Sequence, residues 1–118
     1  MTALEQAVNA VRADVAKLHE MLVRYNLVIW TGGNISGRVP GADLFVIKPS
    51  GVEYDDLTPE NMILCDFDGT VITGEHSPSS DTAAHAYIYR NMPEVNGVVH
   101  THSTYATAWA ATVKRSRA

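Results

Sequence analysis

Six apolar residues near the start of the chain, Leu4, Val8, Val11, Val15, Leu18 and Leu22, recur at spacings of three and four, with Ala7 and Met21 beside them. That stripe predicts an amphipathic helix over about residues 3 to 25. The period then shortens. "GGNISGRV" reads as a loop entering a short strand and "LFVIKP" as a second strand stopped by Pro49, which implies a hairpin around "PGAD". "NMILCDF", then Asp68-Gly69, then "TVITG" is a stronger hairpin signal, because Asp-Gly suits the positive dihedrals of a tight turn. "SPSSDTAAHAYIYRNM" predicts capped entry into a second helix, with Ser79 or Ser80 as the cap. "VNGVVHTH" is expected as a strand, and "STYATAWAATV" as a last helix capped by Ser103.

This order gives an α/β fold class, in α+β layered form, with a largely antiparallel central sheet flanked by helices. The connections are short and no repeat is visible. A length of 118 residues suits one domain with a modest core.

Composition narrows the function classes. A hydrophobic share of 46% excludes a disordered chain, and a net charge of -4 argues against a general binder of nucleic acid or anionic membranes. An anionic ligand therefore has to be held locally. The single cysteine, Cys65, excludes an internal disulfide framework, and its setting in "MILCDF" predicts a small buried hydrophobe. No stretch approaches ~20 apolar residues and the first residues lack a signal-peptide pattern, so the cytoplasm is the expected location. Residues 113 to 118, "VKRSRA", carry three positive charges and no acid, whereas residues 1 to 112 are acidic overall. A main domain over 1–112 and an off-pattern basic tail over 113–118 are expected, the tail being either a solvated end or the mark of a truncated or frame-shifted coding region.

The candidate chemistry begins with "VVHTHS". On a strand, His100 and His102 share a face, an arrangement that suits a divalent cation and equally a polar pair at a strand end. Spacing alone leaves both open. In "GGN" and "KPSG", glycines permit close backbone approach while Asn, Ser and free N–H groups can donate to an anion; the alternative is that Gly32, Gly33 and Gly51 simply make turns. Neither stretch is a P-loop.

"TGGNIS", "FVIKPSGVEYDDLTPENM", "PSSDTAAHAYIYRNMPEVNGVVHTHS" and "ATAWAA" follow one another in register. Together they resemble the amino-terminal half of the class II aldolase/adducin family, most closely its L-ribulose-5-phosphate 4-epimerases, over about residues 5 to 112. The resemblance implies a fold incomplete at the carboxyl end and a zinc or similar divalent ion held by Asp81, His100, His102 and a further histidine beyond this chain. It places Gly33, Asn34, Ser50, Gly51, Ser79 and Ser80 on a sugar phosphate. Asp81 stands where the family's fuculose and rhamnulose phosphate aldolases typically carry glutamate, which favours the epimerase branch. The implied reaction is retro-aldol cleavage followed by re-addition with inverted stereochemistry, in a homotetramer with sites between subunits. The family's acid–base residues fall outside the match, so no catalytic residue is assigned. A class II aldolase acting on another sugar phosphate and a non-catalytic adducin-like binding module are the alternatives.

Remaining polar residues receive plainer expectations. Lys48 is read mainly as a solvated strand-edge lysine, with support of a phosphate or an enediolate charge as the alternative, and Asp81 as able to serve a helix dipole as well as a metal. His85, one turn after Asp81, is expected to orient the site from behind. His19 and His76 are expected on the surface, and Trp30, Tyr87, Tyr89 and Trp109 in the core or a subunit contact.

Overall fold

The computed structural model describes residues 2–25, 33–74, 77–79 and 81–100. Helix α1 runs Ala3–Arg24, opened by a capping box in which the Thr2 hydroxyl accepts from the Glu5 N–H at 3.1 Å while the Glu5 carboxylate reaches back to the Thr2 N–H. Strands β1 (Asn34–Arg38) and β2 (Leu44–Ile47) form the expected hairpin, and Gly41 adopts φ 80° in its turn. Strands β3 (Ile63–Asp66) and β4 (Val71–Thr73) form the second hairpin, where Gly69 has φ 85° and the Asp66 carboxylate accepts from the N–H groups of Asp68 and Thr70, both at 2.9 Å. Helix α2 spans Thr82–Asn91 and strand β5 spans Gly97–His100. The expected last helix and the basic tail lie outside the described residues.

The sheet order is β4-β3-β2-β1-β5, with every adjacent pair antiparallel. Alternation along the central strands divides the core in two. Val46 and Leu64 join Val8, Val15, Ala16, Val39 and Met62 under α1. Phe45, Ile47, Ile63 and Cys65 point the other way, against Ala86 and Tyr89 of α2. One helix therefore covers each face. Gly37 allows the close approach of α1, since a Cβ there would stand 3.0 Å from Val11 Cγ1 and 3.1 Å from Val15 Cγ2. Cys65 is buried as expected, and desolvation raises its thiol pKa to about 11, which makes it a poor nucleophile.

Arg38, at the end of β1, fastens the far end of α2. Its Nε donates to Val95 O at 2.8 Å, its Nη2 to Tyr89 O at 2.9 Å and Met92 O at 3.1 Å, and its guanidinium lies over the Phe67 and Tyr89 rings. A cation on the last carbonyls of a helix both satisfies them and opposes the helix dipole. Arg38→Ala is expected to lower unfolding free energy by about 2 kcal/mol, read as a lower urea midpoint at unchanged m-value.

One expectation needs correction here. The α2 N-cap is Asp81, not Ser79, and no side-chain cap bond forms there; Ser80 lies outside the described residues. Tyr89 is a core aromatic as expected, and Tyr87 is exposed on this chain with Arg90 over its ring, which leaves it to the subunit-contact half of the expectation. Among the described residues no helix is long and apolar enough to cross a membrane.

Candidate functional site

The site forms on the α2 side of the sheet, where β1 begins, β5 ends and α2 starts. Asn34 and His100 are register partners on β1 and β5, so their side chains stand side by side on one face. Asp81 meets both from the start of α2. Its Oδ2 accepts from His100 Nδ1 at 2.6 Å and from Asn34 Nδ2 at 2.7 Å, and Asn34 Nδ2 also donates to Ser79 Oγ at 2.9 Å. The carboxylate that would otherwise cap α2 is thus turned to a pair of site side chains. The Asn34 bond, and after it the His100 ring, hold the Asp81 carboxyl below the usual carboxylate range against the opposing effect of partial burial.

The glycine and serine segments come together through a short strap. Pro49 and Pro78 form an isolated antiparallel bridge, flanked by Ser50 N–H to Ser77 O at 2.8 Å and Ser79 N–H to Lys48 O at 3.0 Å. Prolines cannot donate, so the serines on either side supply the two bonds. Ser50, Gly51 and Ser79 are thereby tied together, and Asn34 links Ser79 to Gly33. Gly33 and Gly51 adopt φ of 81° and 71°, the left-handed region that glycine enters without strain.

Of the sequence-predicted residues, Gly33, Asn34, Ser50, Gly51, Ser79, Asp81 and His100 fall in this corner. Ser80 and His102 lie outside the described residues. Among the described residues no set of three or more His, Cys, Asp or Glu side chains gathers, so Asp81 and His100 form a two-member set. Their chemistry fits a divalent cation. A carboxylate oxygen and an imidazole nitrogen, 2.6 Å apart, are both donor types that a divalent ion takes.

Two buried polar atoms beside this pair have no partner among the described residues, Asn34 Oδ1 and His85 Nε2. Buried polar groups are ordinarily satisfied, so such orphans at a site mark where a ligand supplies the missing bond. His85 is held from behind, its Nδ1 2.6 Å from Ser36 Oγ, which also lies 2.7 Å from Tyr89 Oη. Burial lowers the His85 pKa to about 4, although Asp81 pulls the other way.

Lys48 and His19 overturn their surface assignments. Lys48 is only 2% exposed; its Nζ donates to Pro49 O at 3.1 Å and sits 5.4 Å from the centre of the Tyr54 ring, and burial lowers its pKa. His19 is fully buried. It continues the row Val8, Val15, Leu22 on the inner side of α1, while Leu18 is 42% exposed. That spacing is the signal the sequence carries, and the polarity of histidine hides it. His76, Trp30 and Trp109 lie outside the described residues.

Residues 13–117 match the family model of the class II aldolase and adducin N-terminal domain. The chain belongs to the class II aldolase and adducin family. Among solved structures, it is 32% identical to an L-fuculose 1-phosphate aldolase at a TM-score of 0.78, over 86% of this chain and 48% of that one. It is also 30% identical to the L-fuculose-1-phosphate aldolase of Thermus thermophilus (TM-score 0.66; 83% and 49% covered) and 27% identical to YgbL of Escherichia coli, a putative aldolase/epimerase/decarboxylase (0.77; 86% and 48%). This family member thus spans about half the length of the solved structures it matches. Its layered α/β architecture, with a five-stranded antiparallel sheet, is the class II aldolase fold.

Proposed function

We propose that this chain forms part of a divalent-metal-dependent isomerase that epimerises L-ribulose 5-phosphate at C4 by breaking and remaking the C3–C4 bond. The observation that carries the proposal is the convergence of Asp81, His100 and Asn34 beside the strapped glycine and serine segments. Zinc or a similar ion, bound by Asp81, His100 and His102, would stabilise negative charge developing on the substrate oxygens. Asn34 Nδ2 orients the Asp81 carboxylate, Asn34 Oδ1 accepts from a substrate hydroxyl, and Gly33, Ser50, Gly51, Ser79 and Ser80 supply N–H and hydroxyl donors to the phosphate.

The epimerase reading rests on Asp81, which occupies the position where the related aldolases typically have glutamate. The identity to L-fuculose 1-phosphate aldolase supports a second reading, a class II aldolase on another sugar phosphate. The two differ in where the phosphate travels. Cleaving L-ribulose 5-phosphate between C3 and C4 leaves it on the two-carbon aldehyde, whereas cleaving a ketose 1-phosphate leaves it on the enediolate fragment. Retention of Asp81, His100 and His102 speaks against an adducin-like scaffold.

Titrating the 15N-labelled, Zn2+-loaded chain with glycolaldehyde phosphate and dihydroxyacetone phosphate tests the proposal. The amides of Gly33, Gly51 and Ser79 are expected to shift with glycolaldehyde phosphate and much less with unphosphorylated glycolaldehyde. A stronger response to dihydroxyacetone phosphate would favour the aldolase, and no response to either would defeat both readings.

A further inference from the structure

Asn34 is the hinge of the candidate site, yet nothing in its own side chain fixes the backbone that presents it. That backbone is held from the opposite face of the sheet. His19 Nδ1 lies 2.8 Å from the Val15 carbonyl one turn earlier in α1, and the Ile35 N–H donates to His19 Nε2 at 3.0 Å. An N–H can only be accepted by a lone pair, so the proton of this neutral ring is on Nδ1, donating to Val15 O. On the other side of Asn34, Tyr54 Oη donates to Gly33 O at 3.0 Å. The two rings lie against one another with centroids 5.8 Å apart, and the Lys48 ammonium sits over Tyr54. His19 and Tyr54 therefore grip the residues immediately before and after Asn34.

We infer that His19 and Tyr54 are positioning residues that together set the Gly33–Asn34 segment for anion binding. The inference rests on the phosphate role proposed for that segment. Both side chains act through the main chain, at Ile35 N–H and Gly33 O. The grip requires a neutral His19, because a second ring proton would remove the acceptor of the Ile35 N–H. The charged or titratable groups around His19 are Lys48 from the end of β2, His85 from α2 and the Tyr54 phenol; the first two disfavour an added charge on the ring.

Two measurements on the whole chain test this. The first uses sulfate as a probe of the phosphate site, since it does not titrate over the range of interest, and compares wild type with Tyr54→Phe at pH 7. Phenylalanine keeps the ring against His19 and Lys48 and removes the bond to Gly33 O. Sulfate affinity is expected to fall roughly 3- to 10-fold with an unchanged circular dichroism spectrum. Equal affinity in the two proteins overturns the inference. The second measurement needs no ligand. As His19 is protonated, the Gly33, Asn34 and Ile35 amides and the Asn34 side-chain NH2 are expected to shift together, with its midpoint. If the Asn34 NH2 signals stay fixed while His19 titrates, the grip does not position the side chain and the inference fails. Wild type that binds no sulfate overturns the anion-binding purpose of the grip, and the titration still decides the grip itself.

Discussion

His100→Ala is expected to reduce Zn2+ affinity about 100-fold, enough to take a weak calorimetric signal below detection. The chain alone should bind zinc weakly, because the proposed ligands within it are only Asp81, His100 and His102. Asp81→Ala should lose as much, since it removes the second proposed ligand of the same ion. Asp81→Asn is the more informative partner. It keeps the shape and an acceptor oxygen but not the charge, so an intermediate loss is expected. Titrations that superimpose for wild type and both alanine variants would show that the pair holds no cation.

Stability should fall steeply with acid, starting well above the range where carboxylates titrate. His19 and His85 are each buried, and desolvation sets their pKa values at about 4 in the folded chain, against an ordinary 6.5. Below pH 6.5 the unfolded chain takes up protons that the folded one refuses. The stabilising contribution is therefore complete above about pH 6.5 and is lost as pH drops to about 4, at about 3 kcal/mol for each ring. Asp81 adds to the loss at lower pH, because its depressed carboxyl pKa contributes stability that disappears as it is protonated. Urea midpoints measured at pH 7, 6 and 5 should decline accordingly. His19→Gln, whatever it costs at pH 7, should roughly halve the slope. A midpoint constant from pH 7 to 5 would contradict the burial of both rings.

Local pattern is enough for most elements. The α1 stripe, both hairpins and β5 follow from periods of 3.6 and 2 together with Asp68-Gly69 and "PGAD", because each is decided by neighbours in sequence. What sequence pattern misses depends on distant partners. A strand-edge lysine is expected in solvent, but the burial of Lys48 depends on the Tyr54 ring and on the strap that pairs its carbonyl with Ser79. His19 is hidden because its acceptor role belongs to Ile35 on another element. The α2 cap is misplaced for a related reason: Asp81 occupies it while directing its carboxylate to Asn34 and His100, a choice that favours the site over the helix. Where local preference and structure part company, the residue belongs to the candidate site or its support.

The placement of β5 beside β1 has an outcome for the growing chain on the ribosome. Residues 34 to 73 can zip into their meander from hairpins alone, but Asn34 gains its cross-strand neighbour only when His100, sixty-six positions later, has been synthesised. Before residues 96 to 100 are made the outer border of β1 is bare and Arg38 has no Asn96 carbonyl to accept its N–H, and until His100 itself is added the proposed cation site lacks a ligand. Nascent chains stalled before His100 should thus be indifferent to zinc, and metal capture would serve as a late checkpoint on closure of the sheet.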